Sequence, residues 1–78
     1  MSLSREAKAL LRAMRSGSGI VERQALGGWM TPERAQAEAH VVWELVRARI
    51  AEYTEWGATS GHRRIGTRAR LVQRQEAA

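Results

Sequence analysis

Three glycine-bearing breaks constrain this chain most. Ser16-Gly17-Ser18-Gly19, Gly27-Gly28 and the loop Gly57-Ala58-Thr59-Ser60-Gly61 interrupt its 78 residues. Glycine permits a left-handed turn, and serine competes for backbone hydrogen bonds, so regular structure stops at each break. What lies between must be short elements of one domain, expected over residues 1–78 with 73–78 as a frayed tail. A domain this small hides only about 60% of the surface its unfolded chain exposes. Its core rarely supplies more than ~3–5 kcal/mol. There is no cysteine, which excludes disulfides and thiolate zinc sites. A second subunit is the remaining route to extra stability, so a homodimer is expected. No run approaches the ~20 apolar residues of a membrane span. The N-terminal residues Met1 to Arg5 lack the apolar stretch of an export signal. A cytoplasmic protein without membrane contact is the corresponding expectation.

The first element reads as a helix. Ser4 can cap it, and Ala7, Leu10, Leu11 and Met14 recur at helical spacing. Ile20 to Leu26 is a short stretch that suits either a helical turn or a strand. Thr31-Pro32-Glu33 is the clearest helix start in the chain: a capping residue, a proline at the first helical position and an acid near the positive dipole end. The pattern predicts helix from Thr31 to Arg49. Ala35, Ala39, Val42, Val46 and Ile50 line one face, and Ala37, Val41, Leu45 and Ala48 form a second apolar stripe. That is more apolar surface than one contact needs, so Val41, Leu45 and Ala48 are candidates for a dimer or partner interface. Residues 50–56 suit either more helix or a strand. His62 to Thr67 can return as a strand after the glycine loop, and Arg68 to Gln75 read as a final helical turn or two.

The charge is uneven. Twelve of the thirteen basic residues are arginine. Through Gly61 the chain carries a net charge of +1; from His62 onward it carries +4. A local arginine cluster reads as a surface for phosphate or an acidic partner.

Taken in order, helix, short helix, turn, long helix, strand, loop and basic strand resemble a winged helix-turn-helix domain of bacterial or phage transcription regulators. Leu3 to Leu11 look like its first helix and Thr31 to Arg49 like its recognition helix. Trp43 to Glu52 is similar to the family's helix-to-strand ending, and Ile65 to Leu71 to the segment after the wing. Arg49 and Ala69 stand where the family usually has glycine. The resemblance implies a mostly α fold: three helices plus a small β-hairpin, the wing, over 57–70. It implies binding to double-stranded DNA. Arg34, Gln36, His40 and Arg47 would face base edges, and Thr31 would meet a phosphate. Arg63, Arg64, Arg68 and Arg70 would neutralise phosphates beside the wing. Glu33 and Glu44 on the same face argue against this picture, because carboxylates repel phosphate.

Other features read as structural. His40 and Glu44 are four residues apart but lack a third ligand, so no metal is expected. Ser60 and His62 lack an orienting acid. No acid, base and nucleophile can be assembled, so neither an enzyme nor a cofactor is expected. Trp29, Trp43 and Trp56, in a chain without phenylalanine, are expected to be core anchors rather than a base-stacking set. Two further functions compete with DNA binding. One is a small phage- or mobile-element-type protein that binds and inhibits a host protein. The other is an RNA-associated protein with a basic arm.

Overall fold

The computed structural model describes residues 3–58, 61 and 63–72. In chain order it contains α1 (Arg5–Ser16), β1 (Ile20–Arg23), β2 (Trp29–Met30), β3 (Gln36–Ala37), α2 (Ala39–Arg47), β4 (Ala51–Ala58) and β5 (Arg64–Leu71). The strands form one sheet in the order β3-β2-β1-β5-β4, antiparallel at every pairing. This is an α+β fold. The expected winged helix of three helices is overturned: two helices pack on a five-stranded sheet. The expected tail over 73–78 and the Ser60–His62 pair lie outside the described residues.

The helix expected from Thr31 begins eight residues later. Thr31 to Ala35 closes a hairpin turn instead, with Thr31 N–H donating to the Ala35 carbonyl at 2.8 Å and Arg34 N–H to the Thr31 carbonyl at 2.8 Å. The preceding hairpin repeats that pattern: Gln24 N–H donates to the Gly28 carbonyl at 2.9 Å, and Gly27 N–H to the Gln24 carbonyl at 3.0 Å. In both turns the fourth residue is left-handed, Gly27 at φ 102° and Arg34 at φ 73°. Pro32 serves the second position of a tight turn as well as the first position of a helix, because both want φ near −65°. Thr31 Oγ1 accepts the Ala35 N–H at 3.0 Å inside the turn. The strand alternative holds for Ile20–Arg23, and residues 51–58 are strand. Residues 64–71, expected to turn helical from Arg68, are strand throughout.

Helix α2 carries the chain from β3 at one edge of the sheet to β4 at the other. Nine helical residues span about 13 Å, and five strands span about 19 Å, so the helix and its flanking residues suffice for the crossing. A left-handed residue ends it: Arg49 at φ 61°, with Arg49 N–H donating to the Val46 carbonyl and Ile50 N–H to that of Leu45, each at 3.0 Å. This is a Schellman ending with arginine where glycine is usual.

The core lies between the helices and one face of the sheet. Ala7, Leu10 and Met14 come from α1, Val41, Val42 and Leu45 from α2, and Val21, Trp29, Ala51 and Ala69 from the strands. Both apolar stripes read from the sequence are thus partly consumed within the chain. Val41 and Leu45, expected at a partner interface, are core residues because α1 packs on that side of α2. The other face of the sheet is charged. Arg70 Nε meets Glu52 at 3.0 Å; Arg68 meets Glu55 at 2.9 Å and Glu22 at 3.9 Å.

The two helices are tied at one end. Ser4 caps α1, its Oγ accepting the Ala7 N–H at 3.1 Å. Ser4 in turn donates to Glu44 of α2, from its backbone N–H at 2.6 Å and its hydroxyl at 2.8 Å. The backbone bond, then the side-chain bond, and more weakly the charge of His40 hold the Glu44 carboxyl below its usual range against a smaller opposing effect of burial.

Two predictions follow from these ties. A folded pKa below the unfolded one gives stability that is complete above the unfolded value and is lost as pH falls through the folded one. Glu44→Gln should lower the melting temperature at neutral pH, and the gap from the native chain should close below pH ~4, read by circular dichroism. Arg34→Gly and Arg49→Gly should each raise stability by about 1 kcal/mol, since a left-handed backbone penalises a side chain by that order; denaturant unfolding measures it.

Candidate functional site

The β4–β5 hairpin is longer than the strand beside it. β1 pairs with β5 only from Arg68 to Arg70, whereas β4 follows β5 from Arg64 to Leu71. Residues 64–67 therefore have β4 as their only strand neighbour among the described residues. The register shifts between Tyr53 and Glu55 and again between Glu55 and Trp56. Strict alternation would put residues 53 and 56 on opposite faces. The irregularity brings both rings to the helix-covered face.

There the aromatic side chains gather around Tyr53. Its ring centroid is 6.0 Å from Trp29, 6.5 Å from Trp43 and 5.2 Å from Trp56. Trp43 is nearly parallel to it, at 9°, and Trp56 meets it edge-on, at 62°. Gly66 makes room, since a Cβ at that position would overlap the Tyr53 ring. Trp29 is the core anchor expected, at 2% exposure. Its indole Nε1 is the buried side-chain donor without an acceptor among the described residues. Such a group typically costs about 1–3 kcal/mol. Trp43 and Trp56 depart from the expectation: each is 50% exposed. Burial raises the Tyr53 hydroxyl pKa, with nearby Arg23 opposing.

Arginine surrounds this ridge. On one side lies a shallow cleft of about 380 Å³ that includes Arg23, Trp29, His40, Trp43, Trp56 and Arg64. The Arg64 guanidinium sits 5.7 Å from the Trp56 ring centre, a cation–π distance. On the other side a groove of about 480 Å³ runs past Trp43, Val46, Arg49, Glu52, Tyr53 and Trp56, with Glu52 paired to Arg70 at 3.0 Å. Two larger depressions flank β3, but Glu38 borders both and Glu6 one of them, which disfavours an anion there.

The residues expected to touch DNA are dispersed. Thr31 is 2% exposed inside its turn and offers nothing to a phosphate. Arg34 is in that turn, and exposed Gln36 is on β3. His40 opens α2, 3.2 Å from Glu38, and Arg47 closes it. Ala48, the third expected partner residue, is the exposed C-cap. Arg63 is exposed at the start of the returning chain. Arg68 and Arg70 face away from the aromatic ridge, held by Glu22, Glu52 and Glu55; the bond to Glu55 is the main cause of a raised Arg68 pKa. Only His40 and Arg64 of the expected set meet at the cleft. Glu33 and Glu44, the two carboxylates that argued against phosphate, are turned elsewhere: Glu33 accepts the Ser18 N–H at 3.3 Å, and Glu44 is tied to Ser4. Arg23, Arg49, Trp43, Tyr53 and Trp56 were not singled out for binding by the sequence. No protein-family model, curated protein or solved structure matches the chain.

Gly66→Ala tests the packing of the cluster. It should cost about 1–3 kcal/mol, the usual range for overpacking, and weaken the near-ultraviolet circular dichroism of the aromatic rings at temperatures where the backbone signal persists.

Proposed function

We propose that this chain is a nucleic-acid-binding protein and that the aromatic–arginine face between α2 and the β4–β5 hairpin is its contact surface. The observation that carries this reading is the pairing of two half-exposed indoles, Trp43 and Trp56, with arginine on both sides of them. Large exposed aromatic rings lose free energy in water unless something covers them. Guanidinium groups beside them select a covering group that is both flat and anionic. Nucleic acid supplies both, as base and phosphate. The formal net charge of +5 acts in the same direction by drawing polyanions to the molecule.

This reading replaces the recognition-helix mechanism. α2 has no part in residues 31–38, and its buried side faces its own core. Arg23, Arg49 and Arg64 would take the phosphates, and the indoles would take bases. Arg68 and Arg70 have carboxylate partners, so they add little net attraction.

Binding should weaken steeply with salt, because each neutralised phosphate releases a counterion. Anisotropy of a labelled mixed-sequence oligonucleotide, titrated over a range of salt, measures the slope. Arg64→Gln should reduce the slope of log K against log salt by about one, while Arg70→Gln should leave it nearly unchanged. Absence of binding at low salt, or equal losses from both substitutions, would sink the proposal.

A further inference from the structure

Resting on the nucleic-acid reading, we infer that the aromatic ridge takes unpaired bases, so that the ligand is single-stranded nucleic acid rather than a duplex. In a duplex the faces of the bases are already stacked on one another. Only an unpaired base has a free π face to lay on an indole. The half-exposed rings are Trp43 and Trp56, one on the helix and one on the hairpin, with Tyr53 within 6.5 Å of both. Tyr53 is in turn held between them and buried Trp29, and lies against Gly66. The two exposed rings are thus backed by packing, which lowers the entropy lost when a base covers them.

The cations are arranged for a strand that passes over this ridge. Arg23 and Arg64 lie on one side of it and Arg49 on the other. A backbone crossing the ridge meets Arg23 and Arg64 before the stacked bases and Arg49 after them, where the nearby Glu52 is offset by Arg70. Arg49 holds its position at φ 61°, where glycine would be easier. The sheet face that a groove-binding ribbon would present is instead self-neutralised: Glu22, Glu52 and Glu55 pair with Arg68 and Arg70. A duplex approaching that face meets alternating charges and no exposed ring of the cluster.

The test compares four probes of equal length at one salt concentration: a mixed-sequence DNA single strand, its RNA counterpart, the corresponding DNA duplex, and a single strand of abasic sites. The native chain should bind the DNA or RNA single strand at least about tenfold more tightly than the duplex and the abasic strand, with quenching of tryptophan fluorescence. Trp43→Leu should cost about tenfold on the base-bearing strand and leave the abasic strand unaffected. Trp43→Phe should restore most of the loss, and thermal melting confirms that both variants fold. Equal affinity for base-bearing and abasic strands, or tighter binding to the duplex, overturns this inference while leaving the broader nucleic-acid reading in place. Failure of all four probes to bind overturns both. A difference between the DNA and RNA strands identifies which sugar the face accepts.

Discussion

The pairing of β1 with β5 holds the molecule together. Val21 stands opposite Ala69, flanked by Ile20 against Arg70 and Glu22 against Arg68. These residues are far apart in sequence, and their short ladder joins the β1–β2–β3 meander to the β4–β5 hairpin. Without it the sheet would divide into a small three-stranded meander and a two-stranded hairpin, and a hairpin alone is marginally stable at best in water. The ladder also sets the faces. Val21, Ala69 and Ala51 turn towards the helices, and their small size lets α1 and α2 settle close to the strands. The intervening residues turn to water and pair their charges across strands. The ladder is short, however, and where it stops the hairpin continues as a two-stranded extension. The aromatic ridge sits at that transition, bracing the extension against α2.

Part of this was legible in the sequence, and the residues show why. α1 was readable because its cap, its stripe and its glycine stop all agree. Of the hairpin after residue 50 only the glycine loop and the return of the chain after it were readable, since residues 50–56 suit helix and strand alike and helix is expected from Arg68, where the strand continues. The segment 31–38 was misleading for a physical reason. Threonine followed by proline and glutamate satisfies a helix start and a three-residue hairpin loop equally, since both need the same backbone angle at proline and a side-chain acceptor before it. What decides is whether Gln36 and Ala37 find a strand, and Met30 and Trp29 supply one. That contact is not written in the local pattern. The left-handed Arg34 gave no warning, because an arginine in that conformation is uncommon.

The candidate site was less legible than the fold. Trp43, Tyr53 and Trp56 lie at spacings of ten and three, which match neither a strand face nor a single helix face. They meet because a helix crosses the sheet and because the register shifts of the β4–β5 ladder, with an extra residue in β4 between Tyr53 and Glu55, turn Trp56 towards Tyr53. A bulge leaves no mark in a residue pattern. Arg23 and Arg64 likewise join the cleft only through the strand order β1-β5-β4. Conversely, Arg68 and Arg70 are expected beside phosphate together with Arg63 and Arg64, and neither net charge nor the winged-helix resemblance can tell that glutamates on neighbouring strands stand beside them.

The carboxylates decide where the positive charge is felt. Seven of the eight acidic residues lie among the described residues, and several are bound to specific partners: Glu22, Glu52 and Glu55 to the β5 arginines, Glu44 to Ser4, Glu33 to Ser18. These bonds offset the negative charges near the aromatic ridge: Glu52, which borders the Arg49 groove, is matched there by Arg70. Glu44 is the most consequential, because it lies one helical turn from His40, which borders the cleft. Its bonds to the Ser4 N–H and hydroxyl turn the carboxylate towards α1 and join the two helices. That side chain thereby joins the helices and leaves Arg23 and Arg64 facing the cleft without an opposing charge from Glu44, while His40 keeps Glu38 beside it at 3.2 Å. Fold stability and the sign of the surface are thus coupled through one residue.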